Sequence, residues 1–165
     1  MLRMTTIMFL LCLAHTTPAA TIRVPEDHKS IQAAIDAAQP GDTVQVAAGR
    51  YQERFKLRPN VTVRSAGDDM KGKAGLKRAE ATIIDGGGKN ADQPGVVMAE
   101  SSTLDGFTIT NVGAYDEALW KKHFDSHGEE LADDEGSVQA EGMIPAISIK
   151  AVNCIVTNNI VHHNG

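Results

Sequence analysis

Two stretches of the chain, 102–112 ("STLDGFTITNV") and 154–164 ("CIVTNNIVHHN"), repeat one pattern at an offset of 52 residues. At this offset apolar residues meet apolar residues and turn residues meet turn residues: Leu104 with Val156, Ile109 with Val161, Gly106 with Asn158, and Asn111 with His163. Glycine and asparagine suit such bends because they tolerate left-handed backbone conformations. Without the polar segment 114–142 the repeat is about 22 residues long, which is typical of one coil of a β-solenoid.

Short strand-like segments separated by Gly, Asn and Asp fill most of the remaining chain. They are "TVQV" (43–46), "FKL" (55–57), "VTVRS" (61–65), "ATIID" (81–85), "GVVMA" (95–99) and "AISIK" (146–150). Such spacing fits a sandwich, a barrel or a solenoid, and the repeat favours the solenoid. The residues expected to point inward are Val44, Val46, Val61, Val63, Ile83, Leu104, Ile109, Ile147 and Ile149.

A short amphipathic helix is predicted over 31–38, directly before the first of these strands. Ser30 is a suitable N-cap, and the helix is followed by Pro40 and Gly41, which favour a helix exit. Its apolar stripe has helical spacing: Ile31, Ala34, Ile35 and Ala38. Because a solenoid ends in unprotected strand edges and an open apolar bore, this helix is expected to cap the N-terminal end.

The stretch "IQAAIDAAQPGDTVQVAAGRYQE" (31–53), followed by "NVTVRSAG" and "ATIIDG", resembles the opening of right-handed parallel β-helix proteins of the pectin lyase-like superfamily. Pectin methylesterases begin similarly, with a capping helix, a P-G-D turn, a strand and a G-x-Y-x-E segment. The resemblance implies an all-β right-handed parallel β-helix with a short N-terminal capping α-helix. It also implies an incomplete, C-terminally truncated solenoid, because the chain stops within a repeat. Fold alone does not settle function.

The first twenty residues are typical of a secretory signal, with Arg3 before the apolar run 7–14 and small residues up to Ala20. A buried N-terminal strand or helix is the alternative. We therefore expect a signal peptide over 1–20, a β-helix domain over 21–165, and a secreted, periplasmic or cell-surface location. Cleavage makes the formal charge one unit more negative than −5, which argues against nucleic-acid partners. No integral membrane segment is expected in the mature chain, and the oligomeric state stays open.

Two aspartates, Asp85 and Asp105, stand at strand exits before glycine and are the weak candidates for substrate binding. Two carboxylates on neighbouring coils could act as an acid/base pair across a sugar, although aspartate is also a common turn residue. The catalytic aspartates and arginine of pectin methylesterases belong to motifs that this chain lacks. Catalytic residues, if the protein is an enzyme, are therefore expected beyond this segment.

The polar insertion over about 114–142 contains the weak metal-binding candidates. His123 and His127 have the i, i+4 spacing of two imidazoles on one metal, while Asp133 and Asp134 belong to an acidic cluster of the kind that calcium prefers. Surface histidines and a solvated acidic loop are the simpler interpretations. No cofactor is identified, and the family resemblance alone allows calcium. Leu119, Trp120 and Phe124 are expected to dock on the side of the coils.

Two functions follow from this interpretation. The first is a secreted β-helix protein that binds or acts on polysaccharide, as a relative of lyases, esterases or hydrolases that process pectin or uronic acids. The second is a non-catalytic structural or adhesive surface protein built from the same coils. Extended parallel faces suit a polymer, whereas an aromatic content of 4% provides few stacking platforms.

Overall fold

The computed structural model describes residues 18–88, 93–113, 117–125 and 144–164. In chain order the elements are β1 (Thr21–Val24), α1 (Ile31–Ala37), β2 (Thr43–Val46), β3 (Gly49–Tyr51), β4 (Phe55–Lys56), β5 (Thr62–Ser65), α2 (Lys77–Ala81), β6 (Thr82–Gly88), β7 (Val96–Val97), β8 (Thr103–Asp105), β9 (Thr108–Val112), α3 (Glu117–Asp125), β10 (Ile147–Ser148), β11 (Ile155–Thr157) and β12 (Ile160–Val161). Nearly all of the predicted signal, residues 1–17, lies outside these ranges. None of the helices in the described ranges is long and apolar enough to cross a membrane.

The strands form three sheets whose paired strands are all parallel. Sheet A has the order β1-β2-β5-β8-β11, sheet B the order β3-β6-β9-β12, and sheet C the order β4-β7-β10. The chain visits sheets A, B and C in turn and then begins again, so that each circuit lies beside the previous one. We call these circuits coil 1 (β2–β4), coil 2 (β5–β7), coil 3 (β8–β10) and coil 4 (β11–β12). The predicted all-β parallel architecture is confirmed, and its cyclic order is consistent with a parallel β-helix.

Coil 4 lies on coil 3 in the register that the sequence repeat predicts. Val156 pairs with Leu104 and Val161 pairs with Ile109. The bends also match, since φ is 84° at Gly106 and 57° at Asn158. The sequence repeat therefore predicted the stacking of these two coils correctly.

Asparagine side chains join the two coils at their bends, where backbone pairing stops. Asn159 accepts from the backbone N–H of Phe107 at 2.8 Å and donates to the carbonyl of Leu104 at 3.0 Å. Asn164 repeats both contacts one bend later, on Val112 and Ile109. These amides satisfy buried backbone groups that would otherwise lack partners.

The core lies between the three sheets and consists of aliphatic residues with Phe55 and Phe107. Six predicted inward residues are fully buried: Val44, Val46, Val61, Val63, Leu104 and Ile109. The prediction for Ile83 was wrong, because the sheet register places Ile84, between Tyr51 and Ile109, in the core instead. Ile147 is half-buried. Ile149, which follows β10 of coil 3, is 55% exposed, so the prediction that it points inward was wrong.

Helix α1 packs against β1, β2 and β4, as the capping prediction requires. The predicted stripe is fully buried at all four positions: Ile31, Ala34, Ile35 and Ala38. Ser30 accepts from the N–H of Ala33 at 3.2 Å, which confirms it as the N-cap. Glu53 adds a second cap from coil 1, since its carboxylate accepts from the N–H of Ile31 at 3.0 Å. The glutamate of the G-x-Y-x-E segment thus fastens the helix to the first coil.

Helix α3 is the described part of the polar insertion. The expectation that Phe124 docks on the coils was wrong, because this residue is 74% exposed. A stripe of large apolar residues predicts docking only if a partner surface is present, and sequence spacing does not reveal one. The side chains of Leu119 and Trp120 lie outside the described part of the chain.

Candidate functional site

The outer face of sheet A carries two columns of polar side chains that run across the strands. Parallel strands lie about 4.8 Å apart, and the register aligns one residue from each strand in each column. The first column is Thr21, Thr43, Thr62 and Thr103, followed by Ile155; the second is Arg23, Gln45, Arg64, Asp105 and Thr157. We call this surface the sheet A face. It presents hydroxyl groups at a regular spacing.

A buried arginine from α2 supports this face at the bend between β8 and β9. The side chain of Arg78 has no solvent exposure. Its Nη2 donates to Asp105 Oδ1 at 2.7 Å, and its Nη1 donates to Ser65 Oγ and to the carbonyl of Asp105, both at 3.0 Å. A Cβ at Gly106 would lie 1.6 Å from Nη1, so only glycine allows the guanidinium to approach.

Arg64 and Asp69 extend this contact into a ring of alternating charges. Arg64 donates to Asp105 Oδ2 at 2.6 Å and to Asp69 at 3.0 Å, and Arg78 also pairs with Asp69. We call Arg64, Asp69, Arg78 and Asp105 the Arg78 network. The hydrogen bond from Arg78 lowers the pKa of Asp69. Desolvation acts in the opposite direction but is outweighed, and the hydrogen bond from Arg64 lowers the pKa further. Two arginines and two aspartates balance, so the network has no net charge.

The predicted substrate-binding residue Asp105 lies within this network. It is 5% exposed, and in addition to the two guanidinium groups it accepts from Asn158 Nδ2 at 2.8 Å. A carboxylate held by two guanidinium groups and an amide is fixed in position. Its observed role is to connect coils 2, 3 and 4.

The other predicted carboxylate, Asp85, lies on β6 in sheet B. Arg50 donates to it at 2.6 Å, Asn111 at 2.7 Å and the N–H of Gly87 at 2.9 Å. Burial alone raises the pKa of Asp85, but the three donors together hold it below its ordinary value. Asp85 and Asp105 thus occupy different sheets and have no hydrogen-bond partner in common among the described residues.

The predicted metal ligands cannot be placed as a group. His127, Asp133 and Asp134 lie outside the described residues, as does the side chain of His123. Within the described ranges no group of three or more His, Cys, Asp or Glu side chains could hold a metal ion.

A shallow concavity of about 290 Å³ lies beside the Arg78 network. Segment 71–76 forms one wall, and Asn158 and Asn159 of coil 4 form the other. Glu80 shapes the segment, because its carboxylate accepts from the N–H groups of Ala74 and Gly75.

The sequence pattern predicted no element over residues 68–80. The stretch "KRAEA" (77–81), a run of strong helix formers directly before a strand, is the signal from which α2 could have been predicted.

The described structure defines an all-β protein of parallel sheets with few helices. The chain belongs to the family described as "Protein of unknown function (DUF1565)", whose profile matches residues 23–165. No curated protein and no solved structure matches the chain.

Proposed function

We propose that this chain is a secreted right-handed parallel β-helix of the pectin lyase-like kind that binds an extended polysaccharide along the sheet A face. The cyclic strand order and the resemblance of residues 31–53 support the fold. The apolar run after Arg3 supports secretion.

The observation that carries the binding proposal is the in-register threonine column. Thr43, Thr62 and Thr103 lie on consecutive coils and are half-buried, so their hydroxyl groups are held in place yet reachable. Strands about 4.8 Å apart present one hydroxyl per coil, a repeat comparable in length to one sugar unit. A polymer lying across the strands would meet the same donor and acceptor at each step.

The geometry favours binding over catalysis within the described residues. A general acid must hold a proton near neutral pH, which requires a raised carboxyl pKa. Asp85 has a lowered pKa, which is the opposite of what a general acid needs. The carboxylate of Asp105 is already engaged by Arg64, Arg78 and Asn158.

The test is affinity electrophoresis and calorimetry of the secreted chain with neutral and acidic polysaccharides. The triple variant T43V/T62V/T103V keeps β-branched side chains and removes only the hydroxyls. At about 0.5–1.5 kcal/mol for each hydrogen bond, binding should weaken at least about tenfold. Lys56→Gln, an exposed strand residue on sheet C, is the matched control. Equal affinity of the triple variant, or no binding to any polysaccharide, would overturn the proposal.

A further inference from the structure

Two adjacent histidines on coil 4 have side chains that meet, although neighbouring residues of a strand normally point to opposite faces. His162 follows β12 directly, and His163 has a left-handed backbone with φ of 52°. This conformation interrupts the alternation. The two rings are nearly perpendicular, at 87°, with centroids 4.7 Å apart and their Nδ1 atoms facing each other.

The fold itself imposes this bend. Asn111 occupies the equivalent corner of coil 3 with φ of 58°, and its backbone N–H donates to the carbonyl of His163 at 3.1 Å. A histidine that replaces asparagine at this corner is therefore held next to the preceding histidine. The convergence of the two rings results from coil stacking rather than from sequence adjacency alone.

We propose that His162 and His163 form a two-imidazole site for a divalent transition-metal ion of the Zn²⁺, Ni²⁺ or Cu²⁺ type. Imidazole nitrogen suits these ions, and a small separation of the rings would bring each Nδ1 to the usual distance of about 2.0–2.1 Å from the ion. Both side chains are exposed, so the remaining coordination positions face solvent and can hold water or donor atoms of a ligand. The site is distinct from the predicted pair His123 and His127, and it does not depend on polysaccharide binding.

The test is isothermal titration of the untagged secreted chain with Zn²⁺, Ni²⁺ and Cu²⁺, combined with NMR of the imidazole nitrogens. His162→Gln and His163→Asn each remove one ligand. Asparagine also retains the left-handed corner, as Asn111 does in coil 3, so the fold should be preserved. We expect each variant to bind the metal at least about tenfold more weakly, and the Nδ1 resonances of both rings to shift when metal is added to the unaltered chain.

Two controls separate this site from other histidines. His28→Gln changes a histidine near the capped end of the coils, and the double variant H123Q/H127Q removes the pair in the insertion. Both should bind metal like the unaltered chain. Unchanged affinity in His162→Gln and His163→Asn, loss of binding in H123Q/H127Q, or absence of binding by the unaltered chain would overturn the proposal.

Discussion

Replacing Arg78 with methionine would remove the only described cation that reaches Asp105 from beneath the bend between β8 and β9. The substitution keeps an unbranched side chain but deletes all guanidinium hydrogen bonds, including the 2.7 Å contact with Asp105 Oδ1. Breaking a buried ion pair from one side costs about 3–5 kcal/mol. Arg64 and Asn158 still hold Asp105, so we expect about 3 kcal/mol, the lower end of that range.

Urea denaturation followed by circular dichroism measures this loss as a change in the free energy of unfolding. Arg78→Lys keeps the charge but cannot reproduce the planar fork of hydrogen-bond donors. Its free energy of unfolding should therefore lie between those of Arg78→Met and the unaltered chain. Asp69→Asn is the exposed control, since the Asp69 side chain is 59% exposed and should contribute much less.

A double-mutant cycle keeps the prediction testable if Arg78→Met folds poorly. Adding Asp105→Asn removes the uncompensated charge, so the double variant should be more stable than the sum of the two single changes predicts. Additive effects, or a loss below about 1 kcal/mol in Arg78→Met, would show that the network does not stabilise the bend as its geometry indicates.

Three further predictions concern the capping helix α1 and the stability of the chain at low pH. Ile35→Asp should destabilise the chain by more than about 4 kcal/mol, because it buries an unpaired charge under α1, whereas Asp36→Ala should stay within about 0.5 kcal/mol; equal melting temperatures would contradict the capping role. Glu53→Ala should lower the free energy of unfolding by about 1 kcal/mol, because the helix loses this cap. Glu53→Gln should retain part of the stabilisation. A Glu53→Ala variant as stable as the unaltered chain would show that the cap contributes nothing. The folded-state pKa of Asp85 lies below its ordinary value of 3.8, so its contribution to stability is present above that pH and is lost as the pH falls through the folded-state pKa. Denaturation curves between neutral and strongly acidic pH should show this loss, and Asp85→Asn should reduce it; a chain that keeps its full stability in acid would refute the assignment.

The sequence by itself determined the features that depend on residue spacing. The stripe from Ile31 to Ala38 and the Ser30 cap follow from spacing within one helix, and the stacking of coils 3 and 4 follows from a repeat at an offset of 52 residues. Helix faces and strand alternation repeat over a few residues, and bends require residues that tolerate positive φ. These patterns were sufficient for the parallel all-β architecture and for most of the core.

Tertiary structure alone decided which polar groups meet. Nothing in the spacing of Arg64, Asp69, Arg78 and Asp105 indicates a closed ring of charges, because its members come from different strands, a loop and a helix. Similarly, the choice between Ile83 and Ile84 depends on the partner strand, and the convergence of His162 and His163 depends on a bend imposed by coil stacking. Ion pairs and cross-coil contacts act through space between residues distant in sequence, so their geometry is fixed only when the coils stack.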